Sequence, residues 1–344
     1  MINLVQFPGL GLSLHINRVA ISLGGFNIYW YGIILAAGLM GGLLFAFRYG
    51  PDFGIDTDRM VDVVVIGTVM AIVCARIYYV AMAPFQYQSL WEMIDLRNGG
   101  IAIYGALIGA FVFGGLACKW RKIPLLQMFD LVAMGFLIGQ GIGRWGNFVN
   151  QEAFGCNTTL PWGMYSEATQ SYLAANAASL AAQGMTVDPA MPVHPTFLYE
   201  SLWCFAGLFM LFRFMKKRCF HGEIFLLYAV WYGCGRFWIE GLRTDSLMLS
   251  AALNLRASQL VAAVSVIVAL ALEIHFRRIY RKAPMMVNLA VADLNAYAKA
   301  FPDGVGAKAL PASASHAEFV QKTKEWNREI QEKAKSADSA QAEE

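Results

Sequence analysis

Seven apolar runs dominate this sequence, near residues 26–47, 62–81, 101–118, 126–144, 196–215, 223–241 and 257–276. A helix needs about 20 apolar residues to cross a hydrocarbon core of about 30 Å, and each run is close to that length. In lipid the chain must satisfy its own backbone N–H and C=O groups, so runs of this kind fold as helices. The expected fold is an all-α polytopic membrane protein with about seven transmembrane helices. Composition agrees, since only 15% of the 344 residues are charged, against about 25% in soluble domains. The N-terminus lacks the basic, then short apolar, then small-residue order of a cleaved signal peptide, so the first span is expected to remain.

Basic residues kept on the cytoplasmic side set the orientation. Arg48 and Arg59, then Lys119, Arg121 and Lys122, then Lys216, Lys217 and Arg218 fall in alternate connections, and Arg277, Arg278, Arg281 and Lys282 follow the last run. Residues 145–195 hold no Lys or Arg. The N-terminus is therefore expected outside and the C-terminus inside. Residues 1–283 form the expected transmembrane domain, with a long external loop at 145–195 whose Ala-rich SYLAANAASLAAQGM suits an interfacial helix. Residues 284–344 have the composition of a cytoplasmic tail, and residues 1–25 that of an amphipathic lead-in. The net charge of +3 follows from topology and gives no reason for nucleic-acid binding. The six cysteines form no CxxC pair and the histidines are dispersed, so neither a metal nor a redox cofactor is expected.

Charges inside spans are costly and mark cavities, partners or function. Mapped onto the expected topology, Tyr31, Arg76, Tyr104, Arg144, Glu200, Arg236 and Glu240 all fall toward the outer ends of their spans. Tyr232, Arg236, Glu240 and Arg243 share one helical face. Three arginines against two carboxylates suggest an anionic ligand, and the planar fork of Arg suits a phosphate. In GRWGNFVNQEAFG (143–155), Arg144, Asn147, Asn150 and Glu152 sit among glycines that permit tight turns. Gly135, Gly139 and Gly143, like Gly105 and Gly109, are spaced for close helix packing. Gly141 to Gly146 matches GxGxxG but follows a span, which excludes a dinucleotide site. A transporter or lipid-binding protein that grips a phosphate head without chemistry fits these residues as well as an enzyme does.

The order of residues in GRWGNFVNQEAFG closely resembles the signature of bacterial prolipoprotein diacylglyceryl transferases, Gly-Arg-x-Gly-Asn-Phe-x-Asn-x-Glu-x-x-Gly, at every fixed position. The likeness continues through IYWYGI (28–33), ARIYY (75–79), GGIAIYGALIG (99–109), LPWGM (160–164), HPTFLYES (194–201) and YGCGRFWIEGLR (232–243). The resemblance implies transfer of the diacylglyceryl group of phosphatidylglycerol to the lipobox cysteine of a prolipoprotein signal peptide, with release of glycerol phosphate. It implies a multi-pass protein of the bacterial cytoplasmic membrane with its active site toward the outer leaflet. By the same resemblance Arg144 and Arg236 are the essential arginines, Asn147 and Glu152 belong to the signature, and Tyr31 and Tyr232 to the site. Arg76, Glu240 and Arg243 match further motif positions. Some members carry a histidine where this chain has Tyr104, which leaves the base open between Tyr104 and Glu152. A positive field would also lower the acceptor thiol below its ordinary pKa of about 8.5.

Overall fold

The computed structural model describes residues 2–24, 26–83, 87, 89–95, 99–244, 248–250 and 255–280, and the tail expected from residue 284 lies outside these. Strands β1 (Ile2–Phe7), β2 (Leu12–Asn17), β3 (Val19–Leu23) and β4 (Phe26–Tyr29) come first. Helices α1 (Trp30–Tyr49), α2 (Thr57–Met82), α3 (Leu90–Ile94), α4 (Ile103–Arg121) and α5 (Leu125–Asn150) follow. Then come β5 (Tyr165–Ser166), α6 (Glu167–Ala182), α7 (Thr196–Phe214), α8 (Glu223–Leu242), β6 (Met248–Ser250), β7 (Leu255–Arg256) and α9 (Ala257–Tyr280). Each apolar run thus contains a long helix. Six of the long helices are apolar enough to cross a membrane. The seventh, α8, has 20 residues and carries Glu223, Arg236 and Glu240.

The described residues form two compact units, one within 2–45 and 132–280, the other within 46–131. In the second unit, α2 starts where the Asp56 side chain accepts from the backbone N–H of Asp58 and Arg59. This satisfies two of the donors that a helix start leaves open. α4 stops at Lys122, which takes the left-handed φ of 57°. The two helices meet across glycines, as their spacing suggests. A Cβ on Gly109 would stand 2.6 Å from Met70 O and 2.7 Å from Cys74 Cβ, closer than real atoms approach.

In the first unit, α1 and α5 cross glycine on glycine: a Cβ on Gly38 would lie 3.2 Å from Gly139 O, and one on Gly42 3.3 Å from Gly135 O. α7 and α8 are clamped by Trp203 and Trp231, whose rings stack at 4.4 Å and 17°. Each indole Nε1 donates to the other residue's carbonyl at 2.9 Å. The rings lie over Gly207 and Gly235, where any Cβ would collide with them.

Residues 1–25 differ from the expected lead-in. β1 and β2 form an antiparallel hairpin with β5 on the far edge of β1, and β3 pairs with β4. Leucines at 10, 12 and 14 repeat with the period of a strand, not of a helix. The first apolar run accordingly splits, Phe26–Tyr29 joining a sheet before α1 begins. Val5 and Phe7 pack into a buried cluster with Phe148, Phe154, Met164, Leu173, Leu180, Val193 and Phe197. The Ala-rich segment is the helix α6, started by a Ser166–Thr169 capping box and anchored in that cluster by Leu173 and Leu180.

Candidate active site

The N-terminal ends of α1 and α7 meet the C-terminal ends of α5 and α8 at one end of the first unit, and each brings a polar group. Arg144 Nη2 of α5 lies 2.5 Å from Glu200 Oε1 of α7, and Arg236 Nη1 of α8 lies 3.5 Å from the same oxygen. Arg236 Nη2 is 2.6 Å from Glu240 Oε2, one turn along its own helix. Within the first unit two guanidiniums face two carboxylates; Arg76, the third arginine of the sequence expectation, belongs to the second unit and is described with it below. Depth separates the signs, however. Glu200 and Glu240 side chains are 4% and 5% exposed, whereas those of Arg144 and Arg236 are 19% and 22% exposed. The accessible side of the cluster is therefore cationic, with carboxylates behind it fixing the guanidinium planes.

A relay runs from Arg144 into the following turn. Arg144 Nη1 donates to Asn147 Oδ1 at 3.3 Å, and Asn147 Nδ2 donates to Glu152 Oε1 at 2.8 Å. The backbone N–H of Glu152 returns to Asn147 O at 3.1 Å. The helix does not end at Arg144 but runs on to Asn150, so Gly143 and Gly146 are helical rather than turn residues. Gly146 admits the ring of Tyr31: a Cβ there would stand 2.7 Å from Tyr31 Cδ2. The turn itself is made by Gln151 and Ala153, at φ 55° and 58° on either side of Glu152. Non-glycine residues in this region each cost about 1–3 kcal/mol and persist where surrounding contacts impose them. Here Gln151 Nε2 donates to Phe148 O at 2.5 Å, and the Thr196 hydroxyl donates to Ala153 O.

Tyr232 stacks on Tyr228 at 5.7 Å and lies on the α8 face that also bears Arg236 and Glu240. Arg243 departs from that face. α8 ends at Leu242, and Arg243 is extended and bridges backbone to backbone with Gly155.

A family model described as prolipoprotein diacylglyceryl transferase matches residues 18–275. The chain belongs to the prolipoprotein diacylglyceryl transferase family. Among its relatives, the phosphatidylglycerol–prolipoprotein diacylglyceryl transferase of Bacillus cytotoxicus is 44% identical over 242 residues, 70% of this chain and 86% of the relative. Proteins of the same name from Bacillus cereus strain Q1 and Bacillus anthracis are each 45% identical over 242 residues, with the same coverage.

The family motifs interlock in the first unit. Gly155, the last glycine of the signature, has room only for hydrogen: a Cβ would lie 2.7 Å from His194 Cβ and 3.1 Å from Leu242 O. Its N–H donates to His194 O at 2.9 Å and the next N–H, of Cys156, to Leu242 O at 2.7 Å. HPTFLYES and the end of YGCGRFWIEGLR thus hold the signature loop from both sides. His194 Nδ1 lies 3.1 Å from the Tyr199 hydroxyl, which accepts from Trp162 Nε1 at 2.8 Å. Burial pushes the His194 imidazole below its ordinary pKa and the Cys156 thiol above its own, so both are held neutral at pH 7.

In the second unit, GGIAIYG supplies Tyr104, an exposed residue at the start of α4. Arg76 of the ARIYY motif spends its donors on backbone carbonyls. Nε reaches Met93 O at 2.8 Å, Nη1 reaches Gly99 O at 3.0 Å and Gly100 O at 2.8 Å, and Nη2 reaches Glu92 O at 2.8 Å. Gly99 and Gly100 take φ of 79° and 82°, and a Cβ on Gly100 would collide with Arg76 Nη1. Sequence reasoning overlooked Thr196, Gln151 and Ala153. Thr196 stands inside the HPTFLYES motif, a usable signal, but a left-handed backbone at Gln or Ala leaves no mark in the sequence.

Proposed function

We propose that this chain transfers the diacylglyceryl group of phosphatidylglycerol to the cysteine thiol of a prolipoprotein, forming a thioether and releasing glycerol phosphate. The observation that carries this reading is the Arg144–Glu200–Arg236–Glu240 cluster, whose cations face outward and whose anions are buried. The thiol sulfur attacks the glyceryl carbon, the carbon–oxygen bond breaks, and its electron pair leaves on the phosphate. Charge grows on that phosphate as the bond opens, so fixed guanidiniums stabilise the transition state more than the bound lipid. Glu200 and Glu240 hold Arg144 and Arg236 in place beforehand, and no reorganisation is required at the moment of reaction.

The thiol must lose its proton. Glu152, oriented by Asn147 and exposed at the turn, is the group of the first unit suited to accept it. Tyr104 of the second unit is the alternative base, and Tyr31 and Tyr232 contribute to binding of the lipid head. With its donors engaged by the backbone, Arg76 acts on this reading by holding the carbonyls of Glu92, Met93, Gly99 and Gly100 rather than by gripping phosphate. On this reading α8 is the seventh crossing and the site faces the outer leaflet of the bacterial cytoplasmic membrane, which the charge pattern of the connections supports. In intact cells an impermeant maleimide should then label Ser179→Cys but not Lys119→Cys, and the reverse pattern would invert this orientation.

The reaction is tested by incubating the purified protein, in vesicles containing phosphatidylglycerol, with a peptide bearing a lipobox cysteine. Mass spectrometry should find one diacylglyceryl group on the cysteine and none on the serine-substituted peptide. An unmodified cysteine would instead favour a protein that binds the phospholipid without chemistry.

A further inference from the structure

We propose that a cavity of about 820 Å³ beside Glu152 receives the acceptor polypeptide just downstream of its reactive cysteine. The proposal rests on the transferase reading and extends it to the second substrate. One wall of the cavity is the strained turn, with Gln151 and Glu152, and the ring of Tyr31. Other walls come from Arg18, and from Ala168 and Tyr172 of α6, elements that lie outside the apolar helices. Its size falls within the range of about 300–1,000 Å³ usual for ligand sites.

Three observations favour a polypeptide. Direction is the first: an acceptor whose thiol reaches the arginine cluster must continue as chain away from the lipid-facing helices. The acyl chains of the donor go the other way. Charge is the second. The charged groups of the cavity wall are Arg18, whose Nη2 donates to Asn150 O at 2.6 Å, and Glu152, so a phosphate here would meet a carboxylate with no cationic surplus. The third is Gln151, only 4% exposed. Its Nε2 is fixed on Phe148 O, which settles the orientation of the amide, and its Oε1 has no hydrogen-bond partner among the described residues. An extended peptide entering the cavity that Gln151 lines brings backbone N–H groups, donors of the kind this acceptor lacks. The glycerol hydroxyls of the lipid head are the competing donors.

The test uses the full chain in phosphatidylglycerol vesicles and two cysteine peptides, one ending at the cysteine as an amide, the other continuing beyond it. Ala168→Trp fills the cavity from α6. It should raise KM for the long peptide by about tenfold or more while KM for the short peptide and for phosphatidylglycerol stays within about twofold, the signature of a clash confined to one ligand. A raised KM for phosphatidylglycerol, or an unchanged KM for the long peptide, overturns the proposal. A readout independent of turnover and of the variant's folding uses the wild-type protein and a long peptide with a benzophenone side chain past the cysteine. It should crosslink to the segment containing Ala168 and Tyr172, in competition with unlabelled long peptide. Crosslinks confined to other segments overturn the cavity assignment. Crosslinking there without diacylglyceryl transfer upholds the cavity and overturns the reaction instead.

Discussion

At the scale of single residues, the site depends on the shape of guanidinium rather than on positive charge alone. Arg144 contacts Glu200 and Asn147 through separate nitrogens, and Arg236 contacts Glu200 and Glu240 in the same way. A lysine ammonium keeps the charge but cannot hold two fixed partners in a plane. Arg144→Lys and Arg236→Lys are expected to lower transfer by about 100-fold or more, the usual loss when a preorganised donor is removed. Initial rates on a cysteine peptide check this, and near-normal rates would show that charge alone suffices. The turn at Ala153 allows a second prediction. Ala153→Gly removes the cost of a left-handed alanine and should retain activity and stability, whereas Ala153→Val should lose more than about 1 kcal/mol and most activity. Thermal unfolding alongside the rate assay separates the two. Arg144, Asn147 and Glu152 were legible in the sequence because their order forms a signature. The relay joining them was not, since it depends on α5 continuing to Asn150 and on two left-handed residues that carry no glycine.

At the scale of elements, close approach explains most of the motif glycines. Gly146→Ala would drive a methyl into the Tyr31 ring, so α1 and α5 must separate or Tyr31 must leave its position. Activity is expected to fall about tenfold or more with helix content unchanged, as measured by transfer rate and circular dichroism. The long apolar helices, six of them apolar enough to cross a membrane, were legible because a run of about 20 apolar residues has few other folds. The β-hairpins of residues 2–29 were obscured, since short alternating strands give a weak signal and the last of them abuts the first span without a break. Gly135 and Gly139 were expected to serve packing and do so, against Gly42 and Gly38. Gly146 looked like a turn former, and Gly143 like both a packing and a turn residue, because composition alone cannot tell a glycine that bends the chain from one that lets a neighbour approach.

At the scale of the whole molecule, stability should depend on acidity through two half-buried histidines outside the helices. Burial lowers the pKa of His194, and burial together with Arg218 lowers that of His221 to about 4. Below the ordinary histidine pKa of about 6.5 the unfolded chain binds more protons than the folded one, so stability is complete above that value and declines as pH falls toward the folded pKa. Thermal unfolding in detergent should move to lower temperature between pH 7 and pH 5, and His194→Gln combined with His221→Gln should flatten the trend. An equally steep trend in the double variant would place the cause elsewhere. Which bond of the phospholipid breaks decides the mechanism, and phosphorus NMR on phosphatidylglycerol labelled with heavy oxygen at the diacylglyceryl C–O–P bridge measures it. Displacement at carbon predicts one glycerol phosphate per thiol consumed, with the heavy oxygen retained on phosphorus; glycerol phosphate without that label, or phosphorus remaining in the lipid while thiol is consumed, would contradict it.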